Sequence, residues 1–243
     1  MLSDVTIVIP TFHRRGYLKD CLRTIEENLP ECKVVVISDD GVIPQTENEI
    51  FLPFDSGLTA KRNAGVKRVK TDYTLIGCDD FDFSTADVRK GIIQMAEALR
   101  DFRVDVVAGR VNSRPYEGYL KYVSGEYIKE RRLDINLKLN IYPIVDIAAN
   151  YFVARTEVLR EVPWDENIRP IGGEHVDWFL DMKAAGKIVI AAPWANIDQM
   201  PYDASKQHPL YKQYRNRAFS TGHQLMMEKR GIKNYFGFDD EVK

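Results

Sequence analysis

The sequence predicts an α/β fold with a mostly parallel, Rossmann-like central sheet and helices on both faces. Residues 5–9 and 34–37 are continuous apolar segments, which is typical of strands buried on both faces. Between them, apolar residues recur at helical spacing and form one stripe: Leu18, Leu22, Ile25 and Leu29. A strand, a helix and a second strand in this order indicate the beginning of a doubly wound sheet.

The rest of the chain continues this alternation. Further strands are predicted at residues 50–54, 73–77, 104–108, 145–153 and 187–191, the last of them ending at Pro193. Further helices are predicted at residues 59–69, 88–99, 156–162, 175–185 and 211–230. Residues 112–140 mix aromatic and charged side chains, so we interpret them as an inserted, partly exposed segment. We expect one domain over residues 1–200 and a helical extension over residues 201–243 that packs on it.

Composition and charge narrow the class of protein. Lys and Arg number 34 against 36 Asp and Glu, so the net charge of −2 does not indicate a nucleic-acid or membrane partner. The three cysteines, Cys21, Cys32 and Cys78, lack metal-type spacing and favour a reducing compartment. We find no signal peptide and no apolar segment near the roughly 20 residues that span a bilayer. We therefore expect a cytoplasmic protein.

An acidic cluster follows the apolar strand at residues 73–77. It contains Asp79, Asp80 and Asp82, and ligands of open α/β sheets bind at the carboxyl ends of strands. Adjacent carboxylates repel one another unless a cation or a proton intervenes. A divalent metal that bridges to a diphosphate would relieve this repulsion, and Mn²⁺ or Mg²⁺ suits carboxylate oxygens. The alternative is a solvated acidic turn, in which Asp82 favours the N-terminus of the next helix.

Two further segments lie where a nucleotide would bind. Asp39 follows the second strand and is placed to accept the imide N–H of uracil or to bind a ribose hydroxyl, although Asp-Asp-Gly is also good turn chemistry. Lys61 and Arg62 lie on the next helix and are candidates to face a pyrophosphate. For Lys61 and Arg62 the alternative is that they form a solvated basic helix face.

A late helix begins with two glycines and acidic residues. Gly172 and Gly173 permit close approach of the backbone to a ligand. Glu174 and Asp177 are three residues apart and are predicted to share one helical face. The helix dipole keeps such carboxylates ionised, as a general base requires, while helix capping is the competing interpretation.

Together these segments resemble GT-A-fold glycosyltransferases of the family-2 type, most closely the β-1,4-N-acetylgalactosaminyltransferase branch. Residues 5–41 look like the family's opening of strand, Pro-Thr, helix, strand and Asp-Asp-Gly. Residues 60–65 and 78–83 resemble that branch's small-Arg-Asn-small helix and its Asp-Asp-Asp-Phe-x-Phe motif. Residues 150–156 (Asn-Tyr-Phe-Val-Ala-Arg-Thr) and 173–179 are similar to its stretch before the acidic helix and to that helix. The resemblance covers roughly residues 5–110 and 146–195.

The resemblance implies roles for individual residues. The nucleotide sugar would be held by Pro10, Thr11, Asp39, Arg62, Asp79 and Gly173. Asp80 would be the main metal ligand, and Asp177 would be the catalytic base.

The chain departs from the pattern of the resemblance at three places. Cys78 replaces the first Asp of the acidic motif. His175 stands where many family-2 enzymes have the basic Asp, so Glu174 and His175 remain alternative bases. No late His follows residue 195 at the position of a usual metal ligand, and Asp198 or His208 is the candidate substitute.

The resulting hypothesis is a metal-dependent, inverting transfer from a nucleotide sugar, expected to be a UDP-sugar, to an acceptor hydroxyl. The expected acceptor is a glycan or lipid-linked glycan. Sugar transfer to a hydroxymethylated base in DNA is the alternative, because basic residues such as Lys212 and Arg215 accompany Tyr211 and Tyr214. A nucleotidyltransferase and a non-catalytic nucleotide-sugar-binding module are the rival classes. The single glycine of residues 11–16 disfavours the former, and the retained acidic residues disfavour the latter.

Overall fold

The computed structural model describes residues 2–42, 49–134, 142–169 and 171–240, with backbone alone for residues 217–220. The helices are α1 (Arg15–Asn28), α2 (Leu58–Arg68), α3 (Ala86–Asp101), α4 (Thr156–Glu161), α5 (Glu174–Ala184) and α6 (Tyr211–Arg230). The strands of the first half are β1 (Val5–Thr11), β2 (Lys33–Ser38), β3 (Glu49–Phe51), β4 (Tyr73–Ile76), β5 (Phe81–Asp82) and β6 (Val106–Val111). Those of the second half are β7 (Gly118–Val123), β8 (Tyr127–Arg132), β9 (Ile144–Val145), β10 (Phe152–Arg155), β11 (Val189–Gln199) and β12 (Asn234–Phe236).

The central sheet confirms the predicted α/β class. Its strands lie in the order β3-β2-β1-β4-β10-β6-β11-β5, with β9 paired to β11. The β1–β2, β2–β3, β1–β4 and β6–β11 pairs are parallel, whereas β10 runs antiparallel to both of its neighbours. Successive side chains of a strand point to opposite faces, so Val8 belongs to one apolar core and Ile7 and Ile9 to the other. The continuous apolar segments of the sequence follow from this two-sided burial.

A second sheet and the last helix lie beside the main sheet. Strands β7 and β8 form an antiparallel hairpin, and β12 pairs in parallel with β8. The hairpin occupies part of the segment that we interpreted as a partly exposed insertion, and it has exposed side chains at Tyr119 and Tyr122 and core side chains at Leu120 and Ile128. Residues 135–140 of that segment lie outside the described residues. Helix α6 has the bounds that the sequence predicts, and it packs against α5.

Two strand predictions need correction. Residues 145–153 do not form one strand, since β9 ends at Val145 and β10 begins at Phe152. The last strand of the main sheet does not end at Pro193 but continues to Gln199. The β6–β11 register shifts between Ala191 and Asn196, and such a bulge accommodates a proline that cannot donate to the ladder.

Candidate functional site

A cleft of about 520 Å³ opens at the edge of the sheet where β1, β4 and β6 end. Because β10 runs in the opposite direction, Asn150, two residues before its start, reaches the same edge. The cleft is lined by Asp79 and Asp80 after β4 and by Glu174 at the start of α5. Two acidic groups nearly a hundred positions apart therefore face one space, of a size typical of ligand pockets.

Asp79 and Asp80 form the acidic end of the cleft, and both are buried. Thr11 donates its hydroxyl to Asp79 at 2.7 Å. Arg14 contacts both carboxylates, with Nη1 3.2 Å from Asp79 and Nη2 2.5 Å from Asp80. Burial raises the pKa of the Asp79 carboxyl and Asp80 raises it further, while Arg14 opposes both effects.

The residues at this end fit a divalent cation. Among the described residues, ligand atoms of Cys78, Asp79 and Asp80 lie within 4.8 Å of one another. Asp80 Oδ1 is buried and has no hydrogen-bond partner, so one carboxylate oxygen is an unsatisfied acceptor that a cation could complete. Burial raises the pKa of the Cys78 thiol, which leaves it neutral and poorly suited to a hard cation. A magnesium-like ion that takes one protein carboxylate and completes its shell with water and phosphate oxygens suits this set.

Asp39 and Lys61 form a buried ion pair on the other side of β1. Lys61 Nζ lies 2.5 Å from Asp39 Oδ1 and also donates to the Thr11 carbonyl at 3.2 Å. Gly57 N donates to Asp39 Oδ2 at 2.9 Å. Asp39 and Pro10 both line the cleft, so the predicted nucleotide-binding residues of β1 and β2 lie together. Lys61 is committed to Asp39 and does not extend freely towards a phosphate.

Arg62 differs from Lys61 in its contacts. Its guanidinium is buried, lines the cleft and stacks on Trp164 with its central carbon 5.3 Å from the ring. Neither Nε nor Nη1 of Arg62 has a hydrogen-bond partner. Burial lowers the pKa of Arg62, although Glu174 opposes this effect. A buried guanidinium with unsatisfied donors is well suited to bind an anionic group of a ligand.

The glycine pair brings the start of α5 into the cleft. Both Gly172 and Gly173 have positive φ angles, of 99° and 81°, which glycine adopts without strain. Glu174 turns back so that Oε2 accepts from Gly172 N at 2.6 Å. His175 Nε2 lies 2.6 Å from the Ala148 carbonyl, an arrangement that requires Nε2 to carry the proton. Burial lowers the pKa of His175 to about 3, so its ring is neutral, and Nδ1 has no partner.

Asp177 does not line the cleft, although the sequence predicted that it shares a face with Glu174. It is 1% exposed and lies against α6, where Arg230 Nε donates to Oδ1 at 2.6 Å and Lys229 Nζ to Oδ2 at 2.7 Å. Both carboxylate oxygens are therefore held by cations. The two side chains diverge because Glu174 folds back over the helix start, whereas Asp177 points at the next helix. This position disfavours the predicted role of Asp177 as base.

Two predicted metal ligands lie apart from Asp80. Asp82 and Asp198 are paired across the β5–β11 ladder and line a separate polar pocket with Trp194. Asp82 Oδ1 accepts from Ser84 N, and Asp198 Oδ1 accepts from the Asn196 side chain. Within β5, Phe81 lines the cleft and the next residue, Asp82, points to the opposite face and the other pocket, whereas Asp80 precedes the strand in a turn. Neither belongs to the group of possible ligands around Asp80.

His208, the other candidate for a late ligand, also lies outside that group. It stacks on His13 with 4.6 Å between ring centroids. The cleft therefore brings Asp80, Arg62 and Glu174 together, and it leaves out four predicted residues, Asp82, Asp177, Asp198 and His208.

Comparison with known proteins shows the family of the chain. Residues 6–162 match the family model described as glycosyl transferase family 2. The chain belongs to glycosyl transferase family 2. It is 30% identical over 199 residues to beta-1,4 N-acetylgalactosaminyltransferase 2 of Mus musculus, covering 77% of this chain and 37% of that protein. It is also 30% identical over 197 residues to beta-1,4 N-acetylgalactosaminyltransferase 1 of Homo sapiens, covering 73% and 35%. The chain thus spans about a third of the length of these relatives.

Solved structures support the GT-A fold of this family member. Residues 1–349 of S. aureus TarS superpose with a TM-score of 0.54 at 15% identity, covering 81% of this chain and 60% of that one. The same TarS fragment in complex with UDP-GlcNAc gives a TM-score of 0.56 at 14% identity, covering 82% and 59%. Among the described residues of the present chain, no helix is long and apolar enough to cross a membrane.

Several cleft residues of this family 2 chain escaped the sequence interpretation. Arg14 was visible only as part of a basic pair after the first strand, and nothing in that pattern indicates that it contacts Asp79 and Asp80. Gln199 Nε2 donates to Asp80 Oδ2 at 3.0 Å, from the strand extension that the Pro193 prediction cut off. Asn150, whose Oδ1 is buried without a partner, could have been found from the sequence, because it begins the stretch at residues 150–156 that resembles the family.

Helix α6 also contributes to the cleft wall through Tyr211 and Tyr214. The aromatic and basic composition of this helix was noted in the sequence, but its position was not. A contact between segments so far apart in the chain has no local signal.

Proposed function

We propose that the chain transfers a sugar from a UDP-sugar to an acceptor hydroxyl with inversion, assisted by Mn²⁺ or Mg²⁺. The observation that carries the proposal is the convergence of Asp80, Arg62 and Glu174 on one cleft. These three residues supply the chemistry that a diphosphate leaving group and an attacking hydroxyl need. Family membership and the UDP-GlcNAc complex of the TarS fragment support a nucleotide sugar as donor.

The donor diphosphate would lie between Asp80 and Arg62. The Asp80 Oδ1 oxygen would hold the cation, which when bound offsets the charge that develops on the departing UDP. Arg62 would donate its unsatisfied N–H groups to phosphate oxygens. Thr11 and Asp39, at the ends of β1 and β2, would contact the ribose and the base.

Glu174 is the base in our proposal. It lines the cleft, and its Oε2 is anchored by Gly172 N, which fixes the carboxylate in place. His175 also lines the cleft, but its low pKa makes it a weak base and a better hydrogen-bond acceptor through Nδ1. Asp177 would instead position α5 against α6 through its two cationic partners. Catalysis would then consist mainly of orientation and charge stabilisation.

A glycan or lipid-linked glycan remains the proposed acceptor. The part of the cleft wall beyond Glu174 carries aromatic side chains, Tyr116 and Tyr235, which suit the apolar faces of sugar rings. The DNA alternative predicts binding to duplex DNA that weakens steeply with salt. Titration of labelled duplex DNA at several salt concentrations therefore distinguishes the two acceptors.

The donor can be identified without an acceptor. The protein is incubated with UDP- and GDP-sugars and Mn²⁺, and free nucleotide is measured, since transferases hydrolyse their donors slowly. We expect UDP release from one or a few UDP-sugars and none from GDP-sugars. A nucleotidyltransferase would release no UDP, and with added pyrophosphate it would convert the UDP-sugar to UTP and a sugar 1-phosphate. Binding of UDP-sugars without any turnover, with or without candidate acceptors, would favour a non-catalytic module.

A further inference from the structure

Arg14 occupies the centre of the acidic end of the cleft. It lies in the turn between β1 and α1, and only about a tenth of its side chain is exposed. Its two terminal nitrogens lie 3.2 Å from Asp79 and 2.5 Å from Asp80. One guanidinium thus serves as the counter-ion of both carboxylates.

The remaining contacts of these carboxylates leave one buried oxygen without a hydrogen-bond partner. Asp79 Oδ2 accepts from the Thr11 hydroxyl, and Asp79 Oδ1 faces Arg14. Asp80 Oδ2 accepts from Gln199 and faces Arg14. Asp80 Oδ1 is buried without a hydrogen-bond partner. A cation that binds there shares its carboxylate with a guanidinium.

The position of Arg14 is fixed by two helices. Its guanidinium stacks on the ring of Tyr17 in α1 at 4.9 Å and on that of Tyr211 in α6 at 5.3 Å. Arg14 Nη1 also lies 3.3 Å from the Tyr211 hydroxyl. A side chain held on two aromatic faces loses little further entropy by remaining at the carboxylates, so its charge stays at the site.

We propose that Arg14 is an internal counter-cation which weakens the binding of a divalent metal at Asp80 until a nucleoside diphosphate binds. Two positive groups on one carboxylate repel each other, and burial strengthens that repulsion. The diphosphate supplies the negative charge that accommodates both groups. The metal therefore binds tightly only together with the nucleotide, and Arg14 enforces this order. The inference rests on the proposed function, because it concerns the same cleft.

The test measures Mn²⁺ binding to the full chain by the electron paramagnetic resonance of free Mn²⁺, first without nucleotide and then with saturating UDP. For the unaltered protein we expect weak binding alone and at least about tenfold tighter binding with UDP. In Arg14→Gln, Mn²⁺ affinity without UDP should rise at least about tenfold. Arg14→Lys keeps the charge and should bind Mn²⁺ as weakly as the unaltered chain.

Arg15→Gln is the matched control. The neighbouring Arg15 pairs with Asp40 and Glu49 and does not contact Asp80, so its loss should leave Mn²⁺ affinity unchanged. Because Arg14→Gln leaves two buried carboxylates without their cation, thermal unfolding is followed with and without Mn²⁺. Metal should raise the unfolding temperature of this variant more than that of the unaltered chain.

The outcomes separate this inference from the proposed function. Unchanged or weaker Mn²⁺ affinity in Arg14→Gln, with UDP-dependent Mn²⁺ binding intact in the unaltered chain, overturns the inference alone. Equal loss of affinity in Arg14→Gln and Arg15→Gln does the same, since it indicates general damage. If the unaltered chain binds neither UDP nor Mn²⁺ under any condition, both the inference and the proposed function fail.

Discussion

The acidic end of the cleft and the junction between α5 and α6 both pair buried carboxylates with basic side chains, but they differ in how completely the carboxylates are hydrogen-bonded. Each buries carboxylates against arginine: Asp79 and Asp80 against Arg14, and Asp177 against Lys229 and Arg230. At the junction both oxygens of Asp177 are satisfied, whereas Asp80 keeps one buried oxygen without a partner. A buried acid with an unsatisfied oxygen is therefore a better candidate for chemistry than one whose two oxygens are both paired with cations.

The largest expected effect separates two of the acids that the sequence assigned to the metal. Asp80→Asn should reduce Mn²⁺-dependent UDP release by about 10³-fold, because the open oxygen that would hold the cation loses its charge. Asp82→Asn is the matched control and should change UDP release little, since Asp82 lines the separate pocket. Steady-state UDP release is measured for both variants. Comparable losses of UDP release in the two variants would indicate that Asp82 also binds the metal.

At the junction the expected effect is on stability rather than on chemistry. Asp177→Asn should lower the free energy of unfolding by about 3 kcal/mol, because Lys229 and Arg230 lose a buried partner. Asp181→Asn should cost less, since Asp181 contacts the same two cations but about a third of its side chain is exposed. Urea denaturation followed by fluorescence provides both values. A larger loss for Asp181→Asn would contradict the proposed junction.

Arg62 is a buried cation of the cleft whose hydrogen bonds are incomplete, like those of Asp80. Arg62→Gln should weaken UDP binding by about tenfold to a hundredfold, because unsatisfied charged donors are lost. Without ligand the variant should be as stable as the unaltered chain or more so, since a buried guanidinium with incomplete hydrogen bonds is costly. Calorimetry with UDP measures the expected loss of affinity, and thermal unfolding measures the expected equal or higher stability.

Arg68→Gln, at an exposed position of the same helix, is the control and should change neither property. A destabilised Arg62→Gln with normal UDP affinity would mean that Arg62 serves the fold.

The sequence specified much of the sheet and little of the long-range pairing. The apolar segments and their helices predicted the parallel strands, because two-sided burial leaves a local pattern in the chain. The same is true of α6, whose bounds agree with the prediction. By contrast, the partners of Asp177 lie about fifty residues later in the chain. Tertiary contacts at such separations have no periodicity, so the helix start at Gly173 indicated acidic residues without showing which one faces the cleft.

The prediction that the last strand ends at Pro193 was wrong for a related reason. A proline normally marks the end of a central strand, and only the shifted register with β6 makes room for it. That bulge places Gln199 beside Asp80. Because the predicted strand ended at Pro193, the prediction also missed Gln199 as a residue of the cleft.

The smallest expected effect concerns the packing of α6 on the glycine pair. A Cβ at Gly222 would lie 2.0 Å from the Gly172 carbonyl oxygen and 2.4 Å from that of Ile171. Gly222→Ala should therefore lower the free energy of unfolding by about 1–3 kcal/mol, despite the helix preference of about 1 kcal/mol that alanine brings. Gln224→Ala, at an exposed position of the same helix, should be neutral or slightly stabilising. Thermal unfolding of both variants shows the sign directly, and a stabilised Gly222→Ala would contradict the close packing.

We propose that Glu174, and not Asp177, accepts the proton of the acceptor hydroxyl. The most direct measurement is kcat for sugar transfer by Glu174→Gln and Asp177→Asn, with the donor that the UDP-sugar panel identifies and at equal concentrations of folded protein. We predict that Glu174→Gln loses about 10²–10⁴-fold in kcat while it binds UDP normally, and that Asp177→Asn stays within about threefold. A severe loss of kcat in Asp177→Asn, with Glu174→Gln near normal, would contradict the account.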